Sequence, residues 1–176
     1  YQWLRDGADI DGATGASYTA GDADVGSVLA VRVAWQDQQG TSESAESSPT
    51  SPIANTNDHP VGSVSISGTA VEDQRLTAVV SSITDDDGLG ALTYQWQRNG
   101  DDILGAVSSN YELKDADVGQ RVSVTISYVD GQGTTEQLNS TSTAVVASVN
   151  DAPAGLPIIV GNPTEDTTLT ADISTL

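Results

Sequence analysis

The chain has 176 residues, with 25 acidic side chains against 6 basic ones and a formal net charge of −19 at neutral pH. That balance excludes recognition of a phosphate backbone, which needs a basic face, and on the same ground it excludes an anionic membrane surface as partner. Cysteine is absent, which removes disulfide staples and zinc–thiolate sites and favours export across a bacterial envelope, and no apolar run approaches the roughly 18 residues of a membrane-spanning helix.

In chain order, the first phrase is "YQWLRDGADIDGA" at 1–13, followed by "DADVG" at 22–26 and "TNDHP" at 56–60. Strand signals then come in close succession. "SVSIS" at 63–67 and "RLTAVV" at 75–80 alternate polar and apolar residues, as half-buried strands do. "LTYQWQ" at 92–97 and "NYEL" at 110–113 follow. "RVSVTISYV" at 121–129 is the clearest period-two stretch, with Val122, Val124, Ile126 and Tyr128 on one face. "TSTAVVASV" at 141–149 is read as the closing strand. Asp87-Gly88, Asn99-Gly100 and Asp130-Gly131 punctuate these runs as turns. No helical periodicity of ten residues or more is present. About seven short strands in about ninety residues predict an antiparallel β-sandwich.

The chain also repeats itself. "YQWQRNGDDILGA" at 94–106 lies over 1–13, "DADVG" recurs at 115–119, and "EDQRLTA" at 72–78 matches "EDTTLTA" at 165–171. The offset is 93 residues throughout, without a gap, and gives about 36 identities over 83 aligned positions. A register held that long marks a tandem array. The expected division is 1–56 as the back part of one unit (its strands C to G), 57–60 as linker, and 61–149 as a complete unit. Residues 150–153 form a second linker, and 154–176 the front part (strands A and B) of the next unit. The tail of one molecule could then complete the head of another; alternatively the chain is a window on a longer array.

At this point the sequence resembles two things. "YQWQRNGDDILGA" looks like an immunoglobulin strand C with its core Trp (Trp96, Trp3 in the preceding unit), and "YELKDADVGQRVSVTISYVDGQG" looks like strands E and F with their Asp-x-Gly corner. Both core cysteines of that fold are missing, so apolar residues near Ala78 and Val124 or Ile126 are expected in their place. The fold expected is therefore all-β, made of tandem immunoglobulin-like antiparallel β-sandwich repeats. More narrowly, the ordered set of "VNDAP", "EDTTLTA", "TDDDGLG" and "DADVG" phrases is similar to the extender repeats of giant bacterial RTX surface adhesins exported by type I secretion. That resemblance implies an extracellular, cell-surface spacer, rigidified by calcium between domains, with any host or surface ligand bound elsewhere in a full-length protein.

The acidic phrases are expected on the loops at the two ends of each sandwich. Asp22 and Asp24 from one exit face, Asn57 and Asp58 from the linker, and Asp85, Asp86, Asp87 and Asp130 from the next entrance face should converge. Glu72-Asp73 on the A–B turn, Asp115 and Asp117 at the E–F corner, and Asn150 and Asp151 in the next linker form the corresponding set one unit later, and Glu165-Asp166 occupy the A–B turn of the unit beyond. Six or more carboxylates in one gap repel strongly unless a cation sits among them. Calcium fits because it takes six to eight oxygen ligands in flexible geometry; magnesium demands a tighter octahedron, and zinc lacks cysteine and has only His59, an exposed linker residue. Similarity to cadherin junctions supports Glu72 or Glu165, the Asp85/Asp87 pair, and Asn57/Asp58 or Asn150/Asp151 as ligands. For Asp115 and Asp117, capping of their own turn is an equal alternative.

Catalysis has little basis: His59 has no plausible Ser-Asp partners, and the paired carboxylates lie on tight loops rather than in a sugar cleft. A carbohydrate- or protein-binding module is the rival reading. Near-equivalent units argue for a spacer, and Trp96, Tyr128 and Trp35 (the counterpart of Tyr128) are expected in the core rather than on a recognition surface.

Overall fold

The computed structural model describes residues 1–175; Leu176, the last residue of the third segment, lies outside them. The chain is all-β, built from antiparallel sheets, and its only helical pieces among the described residues are single 3-10 turns at Asp22–Asp24 and Asp115–Asp117.

The first segment forms one four-stranded sheet from β1 (Gln2–Arg5), β2 (Ala8–Asp9), β3 (Leu29–Gln36) and β4 (Ser42–Glu46), in the order β2-β1-β3-β4. The next unit contributes β5 (Ser65–Ser67), β6 (Arg75–Val79), β7 (Thr93–Arg98), β8 (Asp101–Asp102), β9 (Asn110–Glu112), β10 (Val122–Val129) and β11 (Thr135–Asn139). These make a three-stranded sheet, β5-β6-β9, and a four-stranded sheet, β11-β10-β7-β8. The last segment is a hairpin of β12 (Ile158–Val160) and β13 (Thr170–Asp172).

The alternation in β10 places Val122, Val124, Ile126 and Tyr128 on one buried face, each 2% exposed or less. Opposite them stand Leu76 and Ala78 of β6 and Tyr111 of β9, so both sheets of the 61–149 unit share one core, consistent with a β-sandwich. Trp96 is fully buried within it, its Nε1 donating to the Ser108 carbonyl at 2.8 Å and its ring stacked on Tyr111. No cysteine pair is needed, because Ala78, Val124 and Ile126 fill the space between the sheets. At the β7–β8 turn, Asn99 and Gly100 both take positive φ (50° and 96°), the conformation of a tight two-residue hairpin.

Two expectations differ from the structure. The strand that closes the unit is Thr135–Asn139, not 141–149; only Val146 and Ala147 of the later stretch pair, through isolated parallel bridges to Val118 and Val71. The hairpin turn after β10 brings the very next residues back into register, Tyr128 opposite Glu136, and this leaves 141–149 to cross the edge. Trp35 is 47% exposed, not buried like its counterpart Tyr128, because no second sheet covers β3 among the described residues.

Candidate metal junctions

Each tight turn aims its acidic residues by hydrogen bonds within its own loop. Asp87 is buried; its backbone N–H donates to Asp85 Oδ1 at 2.9 Å, and its carbonyl accepts the Gly131 N–H at 2.9 Å, tying the loop after β6 to the turn after β10. Asp87 Oδ2 accepts the Asp58 N–H at 2.8 Å and the Asn55 amide at 3.2 Å, so the linker is fastened to the entrance face of the 61–149 unit. Asp85 accepts the Tyr128 hydroxyl. Burial, followed by that contact with Asp85, pushes the Tyr128 phenol well above its ordinary range.

Asp130 uses one oxygen to close its turn: Oδ1 accepts the Gln132 and Thr134 N–H groups at 2.9 and 2.8 Å. Its other oxygen, Oδ2, is buried and has no partner. Asn57 is similar: its amide donates to Glu136 Oε1 at 2.7 Å, while its Oδ1 is buried and unpartnered. Buried polar atoms are almost always satisfied, so two orphaned oxygens in one region are a notable exception. Asp58 is half-buried, and its carboxyl is held above the usual range first by desolvation, then by the charges of Asp22, Asp87, Asp86 and Asp85. Four of the carboxylates singled out from the sequence thus lie within electrostatic reach of Asp58.

The exit face of the same unit is tighter. Glu72 (3% exposed), Asp115 and Asp151 each place a carboxylate oxygen within 4.8 Å of the others. Glu72 is positioned by the residues that lead into the linker, its Oε2 accepting the Val149 N–H at 2.8 Å and the Ser148 hydroxyl at 3.2 Å. Asp115, Asp151 and Glu72 come from three separate loops, as expected of Asp22, Asp58 and their neighbours one repeat earlier.

Other candidates point elsewhere. Asp24 and Asp117 are almost wholly buried and spend both oxygens inside their own domain. Asp117 accepts Arg98 Nε at 2.7 Å, the Tyr111 hydroxyl at 2.8 Å and the Lys114 N–H at 2.9 Å; Asp24 repeats this with Arg5, Tyr18 and Gly21. Burial alone would raise the Asp24 carboxyl, but the Gly21 N–H, Arg5 and Tyr18 outweigh it and hold it below its ordinary value. Burial and the Asp117 contact push the Tyr111 phenol up to about 12. Asp73 and Asp166 occupy equivalent turn positions with φ of 62°, and Asn150 donates only to the Asp151 carbonyl. Asp86 is exposed, and Glu165 is exposed on the hairpin loop and is not a member of the Glu72–Asp115–Asp151 group.

Glu136 is the residue that sequence reasoning missed. It is buried, holds Asn57, and stands 3.5 Å from His59 Nδ1. The signal was available in its position six residues beyond Asp130, which puts it beside Tyr128 on the hairpin. A groove of about 410 Å³ lies away from these groups, beside Ile103, Leu104, Val107 and Tyr111. No helix among the described residues is long and apolar enough to cross a membrane. Compared with known families and curated proteins, the chain matches no family model and no curated sequence.

Proposed function

We propose that this chain is a stretch of immunoglobulin-like extender repeats from a long bacterial cell-surface adhesin or extracellular filament, stiffened by calcium where consecutive repeats meet. The observation that carries the reading is the convergence of Glu72, Asp115 and Asp151 within 4.8 Å at the exit of the 61–149 unit. Like charges so close are costly in a partly desolvated gap and become favourable once a divalent cation lies among them.

The residues present fit such an ion. They are all hard oxygen donors, which suit calcium and not the softer metals. The unpartnered Oδ2 of Asp130 and Oδ1 of Asn57 supply an anionic and a neutral donor in the region of Asp58 and Asp85–Asp87. At the first junction Asp22, Asp58, Asp85, Asp87, Asp130 and Asn57 would hold calcium, and at the second Glu72, Asp115 and Asp151 would. Asp24 and Asp117 are left out because Arg5 and Arg98 already neutralise them. When bound, the ion supplies charge neutralisation and a multidentate clamp between linker and loops. The chain's own residues orient the donors, through the Asp58–Asp87, Asn57–Glu136 and Glu72–Val149 hydrogen bonds.

The sheet order β5-β6-β9 facing β11-β10-β7-β8 supports the immunoglobulin-like assignment, since it follows the A-B-E and G-F-C-C′ arrangement of that fold. The 93-residue register supports the tandem array. Small-angle scattering with calcium and with chelator tests the role. A stiffened spacer shows a larger maximum dimension and less interdomain flexibility in calcium; profiles that superimpose in the two buffers refute it.

A further inference from the structure

Of the seven asparagines in the chain, only Asn99 is followed by glycine. Glycine has no side chain to shield its amide nitrogen, so that nitrogen can reach the carbonyl carbon of the preceding carboxamide. Asn99 and Gly100 form the exposed two-residue turn between β7 and β8, with φ of 50° and 96°. Nothing lies within 4 Å of the place a Gly100 Cβ would take, and among the described residues the Gly100 N–H has no backbone acceptor. The Asn99 carboxamide, by contrast, is latched. Its Oδ1 accepts the Arg121 N–H at 3.0 Å, and its Nδ2 donates to Gln120 Oε1.

The preceding repeat carries an aspartate at the same position. Asp6-Gly7 lies 93 residues before Asn99-Gly100 and makes the same turn, with φ of 48° and 82°. The Asp6 N–H donates to the Val28 carbonyl at 3.0 Å, as the Asn99 N–H donates to that of Arg121 at 2.9 Å. Asp6 Oδ1 accepts the Val28 N–H at 3.0 Å, the bond that Asn99 Oδ1 makes with Arg121. That N–H, followed by the side chain of Ser27 (the counterpart of Gln120), holds the Asp6 carboxyl below its ordinary value. The turn therefore accommodates a carboxylate without changing shape.

We propose that Asn99 is a self-modifying site, at which deamidation gives the turn of the 61–149 unit the form that the preceding repeat already has. The Gly100 nitrogen attacks Asn99 Cγ and closes a succinimide ring, while the carboxamide nitrogen leaves as ammonia. The proton lost from the Gly100 N–H is balanced by the one that ammonia gains. Water then adds to either ring carbonyl and breaks its bond to the shared nitrogen, which yields aspartate or isoaspartate. Cyclisation first requires the carboxamide to leave Arg121 and Gln120 and the turn to swing out of its left-handed conformation. It therefore runs through local opening of the hairpin tip, more slowly than in an unfolded chain. Aspartate keeps the bond from the Arg121 N–H, as Asp6 keeps that from Val28. Isoaspartate lengthens the backbone of a turn that has room for two residues, and so breaks the pairing of Arg98 with Asp101 and Gln97 with Asp102.

The test is peptide mapping by mass spectrometry on the full chain, incubated at neutral and mildly alkaline pH, with enzymatic methylation to count isoaspartate. Asn99 should convert before any of the six other asparagines, and more slowly in the folded chain than in urea. Gln120→Ala removes one neutral hydrogen bond of the latch, so it should speed conversion about fivefold in the folded chain and leave the rate in urea unchanged. Asn99→Asp should melt with the parent, whereas the isoaspartyl fraction should melt lower. Asn99 left intact in the folded chain, over a period that converts it fully in urea, overturns the proposal. Earlier conversion of another asparagine overturns it too, as does an Asn99→Asp variant that melts below the parent. A Gln120→Ala rate equal to that of the parent overturns the latch.

Discussion

Asp117→Ala separates a carboxylate that holds the fold from one that holds a metal. Asp117 is fully buried and receives three donors: Arg98 Nε, the Tyr111 hydroxyl and the Lys114 N–H. Hydrogen bonds to a charged group contribute about 1.5–3 kcal/mol each, and breaking a buried ion pair from one side costs about 3–5 kcal/mol. The Arg98 side chain is 30% exposed and can turn to water, which places the loss near the lower end of that range. Tyr111, by contrast, is 8% exposed and loses the acceptor of its hydroxyl. The expected destabilisation is about 3–4 kcal/mol, or a fall in melting temperature of roughly 12 °C or more for a domain of this size. Circular-dichroism melts and urea titrations measure it, each in calcium and in chelator. The loss should be equal in the two buffers, because both carboxylate oxygens face inward. A loss below about 1 kcal/mol would refute the packing argument. A loss confined to calcium buffer would make Asp117 a ligand after all.

Trp96→Ala, at a fully buried site, should cost about 3–5 kcal/mol in the same melts; a change under 1 kcal/mol would contradict its place in the core. Gly90→Ala tests the close approach of two loops, since a methyl group there would lie 1.9 Å from the Val129 carbonyl oxygen. Strain of about 1–3 kcal/mol and weaker calcium-dependent stabilisation are expected, because the displaced strand end carries Asp130. The Asp58 carboxyl gives a pH dependence. Its folded pKa is raised, so its ionisation costs stability above that value, and the cost disappears as pH falls below the unfolded value. In chelator the protein should therefore gain relative stability through the acid range, and the stabilisation conferred by calcium should shrink over the same window. Asp58→Asn should flatten that dependence, and an unchanged pH profile in the variant would count against the clustering of charge around Asp58.

Period-two patterning made most of the strands, and the inward face of the longest, legible. Val122 to Tyr128 alternate without interruption, and Trp96 takes the core position that its resemblance to an immunoglobulin strand C implies. The closing strand was hidden because "TEQLN" places a glutamate, Glu136, at an inward position, while "TAVVASV" looks more strand-like yet makes only bridges. Local propensity gave way there to the geometry of the β10–β11 turn. The acidic loops were legible as a group because the repeat shows them twice. Their division was not: Asp115 and Asp117 look alike in "DADVG", and only the third dimension turns Asp117 toward Arg98 and leaves Asp115 beside Glu72 and Asp151. Trp35 shows the opposite limit. Its sequence position matches Tyr128, but burial depends on an opposing sheet that one strand cannot specify.

The most direct measurement is a calorimetric titration of calcium into the metal-free chain, repeated with Glu72→Gln and Asp130→Asn. The second substitution keeps the Oδ1 bonds that close the turn and replaces the unpartnered Oδ2 with an amide nitrogen. The calcium account predicts saturable heat with a dissociation constant on the order of 10⁻⁴–10⁻³ M, as in extracellular modules, accompanied by a rise in melting temperature and weakened roughly tenfold or more at the altered junction in each variant. Absence of heat together with an unshifted melt at saturating calcium, or variants that bind as the parent does, would contradict it.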